Sequence, residues 1–588
     1  MIAVCFPQTA VAQKRSAYAY YKAPRQVQIV VAPNGDDEAE GNLANPIRTL
    51  FEARERVRDL LIEQRGSDIE VLIQPGFYRQ DSTLTFEAMD CSPHRKVTWQ
   101  TPLGKKANLS GGALVLGWEP LKGGLWKAPC KHPAFRQLYV NGQRRQRARG
   151  LMPSDIQTLN KAGDSLVGYR SRLFQLTKGQ TKHLELHYAN GSGYSIMPVS
   201  NLQMDSTGEK QLLINPRWFA LMSRKEGGAM TMPTHIEGSL ALLDQPGEWY
   251  HDQEEGMLYY YPFASEELTS AEVSVPVLTT IMQIEGTEEE PVVNLKFKGL
   301  TFSEGNWAGP DQKPMLNVFA NAMADTSSMS EVIDSLYIGP RYGEYQESPS
   351  HVVLKHCHGL TLYGCLFTRM GSQGLKLGEG CKDNLVEYAL FEDISGNGMT
   401  IGGMDRIAHH PSDPRYIVER NTVRNCLVRR VGVDFTGAVG LLSTYASNTV
   451  IEMNEFTQLP YTAIALGWGW GRADSGGMAK QTRVFPTSST AKNNIIRNNH
   501  IHKVMLRHAE GGAIYTMGAQ PGSQIMDNVL YNNPQGYDIL LGPGTAKLEV
   551  GINKAGLGEA TKAPTLGSQI MSSAREATVR IVQRPSVP

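Results

Sequence analysis

The sequence predicts an all-β chain built around a parallel β-helix, and three observations carry that reading. The stretch from His351 to Leu541 is a stack of short, similar segments, among them HVVLKHCHGLTLYGCLFTRMGSQGLKLGEG, CKDNLVEYALFEDISGNGMTIGG and SNTVIEMNEFTQLPYTAIALGWGWG. Their period is roughly 22 to 30 residues, one solenoid coil. Each segment holds apolar β-type runs of three to five residues separated by Gly or Asn, without the 3.6-residue periodicity of helical repeats. Asparagines (Asn384, Asn421, Asn425, Asn448, Asn454, Asn494, Asn498, Asn528 and Asn532) recur just before or inside those runs. Asn tolerates left-handed corners, and stacked amides hydrogen-bond along a cross-β axis. A β-sandwich with Asn-rich turns would instead alternate and pair antiparallel.

At 588 residues the chain holds a large core and more than one domain. Its 58 basic residues balance 58 acidic ones, which gives no pull toward nucleic acid or an anionic membrane. No apolar run reaches the length of a membrane span. The seven cysteines lack a CxxC. Cys357 and Cys381 lie about one coil apart and either pair or stack as buried free thiols, the latter being the plainer expectation.

In chain order, residues 1–25 form a first segment. Ala10-Val11-Ala12 is a small-x-small pattern, and the segment is expected to be either the tail of a signal peptide or an ordinary disordered terminus. Residues 26–133 open with a strand, VQIVV, a Gly/Asn/Asp loop and an amphipathic helix whose Leu50, Ala53, Val57 and Leu61 share a face. That helix is expected to cap the solenoid, and VLIQPGFYR and KVTWQTP then form the first coils. Between residues 134 and 276 the coil rhythm lapses into strands of mixed length. Trp249, Tyr250 and Tyr259 to Tyr261 there read as packing aromatics rather than sugar platforms. Coils resume at VVNLKFKGLTF, pause over a loop from Gly309 to Pro349, and run to 541. The pattern stops there, leaving 542–588 as an atypical tail.

Several motifs resemble glycoside hydrolase family 141: RQLYVNGQRRQRARG (136–150), PGEWYHDQEEGMLYYYP (246–262), GLTFSEGNW (299–307), YTAIALGWGWG (461–471) and EGGAIYTMG (510–518). The resemblance reaches to about residue 537. It implies a right-handed parallel β-helix, with 134–276 as a β-rich insert against it, and a secreted or periplasmic α-L-fucosidase- or xylanase-like activity on a polysaccharide. A monomer without cofactor is expected.

Glycoside hydrolysis needs two carboxyl groups flanking one bond. Glu510 is the first candidate: it precedes Gly511-Gly512, where backbone lets substrate approach, and the family pattern implies a catalytic Asp at this position. Asp434, two coils earlier, is second, as an acid partner or as a residue that orients a sugar hydroxyl. Asp405 and Asp393 are weaker, Asp393 reading as a corner residue. Trp468 and Trp470 flank Gly469. On an extended strand both indoles would face one way as a sugar platform, the alternative being a buried stack. His508, Tyr515 and Tyr461 are the neighbours expected to bond hydroxyls. His500 and His502 share a strand face, but no third ligand stands at fixed spacing, so no metal is expected.

Two rival functions remain at this stage. A polysaccharide lyase would use Lys503 or Arg507 as base, but no acidic cluster suggests its calcium site. A non-catalytic glycan-binding β-helix would bind without turnover. The tail adds a further expectation. The resemblance implies a Y-L-D-x-G strand after Tyr537, and synonymous codons for YDILLGPGTAKL, read one nucleotide later, can spell MTYYLDQGQPSW. A frameshift that replaces the last coils is weighed there against a divergent capping tail.

Overall fold

The structure, a computed structural model, describes residues 27–63, 67–159, 166–189, 193–223, 232–312, 314–324, 345–475, 485–551, 553–555 and 580–581. The expectation of a signal-peptide remnant lies outside them.

The chain winds through three parallel sheets, with twelve, ten and nine strands among the described residues. One turn shows the rule. Thr361–Tyr363 lies in the first sheet, Leu366–Met370 in the second and Gln373–Leu377 in the third. The next turn repeats them as Leu385–Glu387, Leu390–Ile394 and Met399–Ile401, in register. Inward residues stack by type along the axis: Phe302, Phe367 and Phe391 lie in successive coils of the second sheet, with ring centroids 5.2 and 4.5 Å apart.

The asparagines do both jobs expected of them. Asn425, Asn448, Asn498 and Asn532 take left-handed corner conformations, with φ between 52° and 56°. Asn384 and Asn421, and separately Asn454, Asn499 and Asn528, are buried one per coil. Each side-chain amide donates to the next one's oxygen at 2.9–3.0 Å. Such ladders satisfy corner backbone that no strand can pair.

The N-terminal helix, Leu50–Glu63, buries Leu50, Ala53 and Val57 in the same core as the coils, as a cap must. Two expected boundaries move. The insert begins earlier than 134, because Gly112–Leu114 and Trp126–Pro129 already pair antiparallel with Val273–Pro276 and Met257–Tyr260. The coil also does not stop at 541. Tyr537–Leu541, Ala546–Val550 and Lys554–Ala555 extend the three sheets, Leu548 and Val550 enter the core, and Asn553 accepts from Asn528 at 2.9 Å. The expected stop rested on a missing corner asparagine, and Asn553 supplies it.

The insert is two mainly antiparallel sheets with their own cores, Gln143–Arg147 and Glu248–Asp252 being the parallel pair. Trp249 and Tyr260 are buried there, as packing aromatics should be. Polar side chains dock it on the solenoid. Arg144 reaches from the insert to Asp393 at 2.7 Å and Asp434 at 2.8 Å, and Glu304 accepts from Ser274 at 3.0 Å. The six described cysteines are free, and all but Cys91 are buried.

Candidate active site

The third sheet's outer face carries the site. Tyr461 precedes its strand Ile464–Gly467, and Tyr515 lies on the next strand, Gly512–Met517. Phe319, from the segment that interrupts the coils, packs against Tyr461, Trp470 and Tyr515 with centroids 5.6–5.8 Å away. Tyr345 closes on Trp468 at 5.5 Å. Aromatic area of this kind gives an apolar wall with a few aimed polar groups.

Glu510 is exposed at the end of the loop that leads into Gly512–Met517. Its backbone carbonyl accepts the Tyr461 hydroxyl at 2.7 Å, which fixes the loop to the wall. Burial pushes the Tyr461 and Tyr515 phenols above their ordinary pKa, and the Glu510 carboxylate acts in the same direction on both. Both phenols therefore stay protonated, but Tyr461 is fully buried and its proton is taken by the Glu510 carbonyl, so it holds the loop and does not meet a sugar hydroxyl as expected. The Trp470 indole N–H donates to the Tyr515 oxygen at 3.1 Å, leaving that hydroxyl's own proton to donate.

Gly511 and Gly512 face protein rather than an open approach for substrate. A Cβ at 511 would stand 2.6 Å from the Tyr461 ring, and one at 512 would stand 2.7 Å from the Leu540 backbone nitrogen. The glycines admit protein, not substrate.

The tryptophans also depart from expectation. The strand ends at Gly467, Gly469–Gly471 is a tight turn, and Trp470 has φ +50°. The indoles lie against each other with centroids 5.5 Å apart. Trp468 is buried, and Trp470 keeps partial exposure. Trp468 is thus part of the wall's core, and no two-indole platform forms. His508 is buried as well. Its Nε2 meets the Thr436 hydroxyl at 2.9 Å, tying the Glu510 loop to the loop of Asp434.

Asp434 is held from three sides. Its Oδ2 accepts from Ser395 at 2.6 Å, Arg144 at 2.8 Å and Gln137 at 3.0 Å. That is the setting of an orienting carboxylate. Asp393, at a left-handed corner with φ +58°, pairs with the same arginine, as a corner residue would. Asp405 caps the short helix Arg406–His409 through the Ala408 N–H.

Asp538, not singled out in the sequence, stands one coil beyond Glu510 on Tyr537–Leu541, half-buried, and accepts from Asn533 at 3.0 Å. The only sequence signal for it was the strand that a frameshift reading dismissed. The aspartate of that shifted reading would fall at Gly542, where a Cβ would stand 2.5 Å from the Tyr515 ring.

The comparisons fit this geometry. Residues 126–263 match the GH141 insertion domain, and residues 350–551 match the right-handed β-helix region. The chain carries a GH141-type insertion domain on a right-handed β-helix. A solved structure described as a glycoside hydrolase superposes on this chain with a TM-score of 0.76 at 22% identity, over 90% of this chain and 93% of that one. A complex of XylC with xylose matches at a TM-score of 0.47 and 12% identity, over 90% and 75% of the respective chains. Among curated proteins no relative matches the sequence.

Proposed function

We propose that this chain is a secreted glycoside hydrolase acting on α-L-fucosyl or xylosyl units of a complex polysaccharide, with Glu510 as its acid. The observation that carries the reading is an exposed carboxyl at the mouth of an aromatic wall whose phenols remain protonated, on a β-helix bearing the GH141 insert. In this reading Glu510 gives its proton to the glycosidic oxygen as the bond to the leaving group breaks. A second carboxylate then stabilises or attacks the anomeric carbon. Asp538 is our choice for that group. It lies on the adjacent coil, opposite Ala513 and three residues along the strand direction from Glu510, an offset that the two side chains must close to reach the separation of a retaining pair. Asp434, two coils away and engaged by Arg144, orients a sugar hydroxyl instead.

The test is a panel of aryl glycosides, α-L-fucoside and xyloside foremost, with fucosylated glycans and xylans. Glu510→Gln should lower kcat by at least about a hundredfold, the usual share of a general acid. Its thermal midpoint should stay within a degree or two, since an exposed carboxyl contributes little stability. Near wild-type turnover in that variant removes Glu510 from the role. Loss on Asp434→Asn but not on Asp538→Asn would reverse the assignment of the partner.

A further inference from the structure

We propose that Glu455, His500 and His502 form a site for a divalent transition-metal ion, zinc being the reference case. The site lies on the outer face of the second sheet and is independent of the hydrolase reading. His500 and His502 are alternate residues of one strand and share a face. The third ligand comes from the coil before: Glu455 is the register partner of His500, and its carboxylate stands 3.0 Å from the His502 Nε2. One ligand atom from each residue lies within 4.8 Å of the other two. Ligands around a tetrahedral zinc are about 3.3 Å apart, given bonds of about 2.0 Å. One edge of that triangle is therefore already near its bound length, and the exposed His500 ring closes the other two by rotation.

The surroundings suit a ligand set. The other nitrogen of His502, Nδ1, meets the Thr457 hydroxyl at 3.3 Å, a partner that leaves Nε2 free to bind metal. Tyr531, from the following coil, lies flat on the His502 ring at 4.9 Å and 7°, fixing its plane. Glu455 is 46% exposed, so water reaches the fourth position. Two neutral imidazoles and one carboxylate with an open position is a donor set that zinc, copper and nickel accept.

A second cluster, His187, His235 and Glu237 in the insert, has similar spacing but different chemistry. Arg147 and Arg149 already pair with Glu237, and Tyr194 occupies the His187 Nδ1. Its carboxylate is spent on guanidinium groups, so a cation gains little there.

Bound metal would tie two adjacent coils together just before the loop that carries His508 and Glu510. The experiment is calorimetric titration of the chelator-treated full chain with zinc chloride, with the absorption spectrum of the cobalt-substituted protein recorded alongside. One equivalent should bind with micromolar affinity, cobalt should give the visible bands of a tetrahedral site, and zinc should raise the thermal midpoint. His500→Ala and His502→Ala should each weaken binding at least tenfold, and Glu455→Gln should weaken it less. His500 is exposed and Glu455 is 46% exposed, so His500→Ala and Glu455→Gln should keep the wild-type midpoint without metal, whereas His502, 14% exposed beneath Tyr531, is judged by the loss of binding. Absence of binding, or binding that survives His500→Ala combined with His502→Ala, would overturn the proposal.

Discussion

Arg144 is the residue on which the join between insert and solenoid turns. Burial works against its charge, but the carboxylates of Asp393 and Asp434 outweigh it and hold its pKa above the ordinary value. Replacing it with Met leaves two carboxylates facing a partly buried gap. Removing one partner of a buried ion pair costs about 3–5 kcal/mol. Arg144→Met is therefore expected to lower the denaturation midpoint clearly, and a midpoint equal to wild type would show the contact to be idle. His351 gives a pH-dependent case. Its Nδ1 faces the Thr279 carbonyl at 2.6 Å, its Nε2 accepts the Ser372 N–H at 2.8 Å, and burial pushes its pKa down to about 4. The unfolded imidazole titrates near 6.5. Between these values the unfolded chain binds the extra proton, so stability is full above about pH 6.5 and falls as pH drops toward 4. The loss is about 3 kcal/mol at most. Thermal melts across that window should show the fall in wild type and a shallower one in His351→Gln. Parallel curves would discount the residue.

At the scale of the element, the asparagine ladder is the feature to test. Asn499 donates to Asn528 at 2.9 Å and to the Ile451 carbonyl at 2.9 Å, and its oxygen accepts both the side chain and the backbone N–H of Asn454. Truncation to Ala strands buried donors and acceptors on both neighbouring coils, each worth about 1–3 kcal/mol when orphaned. Asn499→Ala should therefore cost more than Asn498→Ala. Asn498 occupies a left-handed corner where other side chains also occur: Met453 takes the equivalent corner one coil earlier at φ +55°. Equal urea midpoints for the two variants would contradict this division of labour. Pattern-reading found that asparagines mark the corners but not which of two adjacent ones points inward. A one-residue choice of face is fixed only by the neighbouring coil.

For the whole molecule, the question is the last coil. In the frame read here, Tyr537–Leu541 and Ala546–Val550 complete a coil and Asn553 extends the ladder. We therefore expect the protein to be made in this frame. A tryptic digest should yield the peptide that ends in YDILLGPGTAK. A peptide containing MTYYLDQG in its place would establish the frameshift and put an aspartate beside Tyr515.

The sequence by itself determined the solenoid, its capping helix, the existence of an insert and the position of Glu510 at a loop-to-strand edge. These follow from local period, turn residues and the order of strands along the chain, and each is written within one or two coils. Tertiary structure alone decided what meets across coils. It buried Trp468, because Phe319 and Tyr345 arrive from a segment more than a hundred residues upstream, and it buried His508 against Tyr461 and Thr436. It engaged Asp434 through Arg144 from the insert, and it brought Glu455 to the two histidines. A parallel coil sets residues dozens of positions apart side by side at one strand spacing, and insertions of unequal length make that partner unreadable from spacing alone.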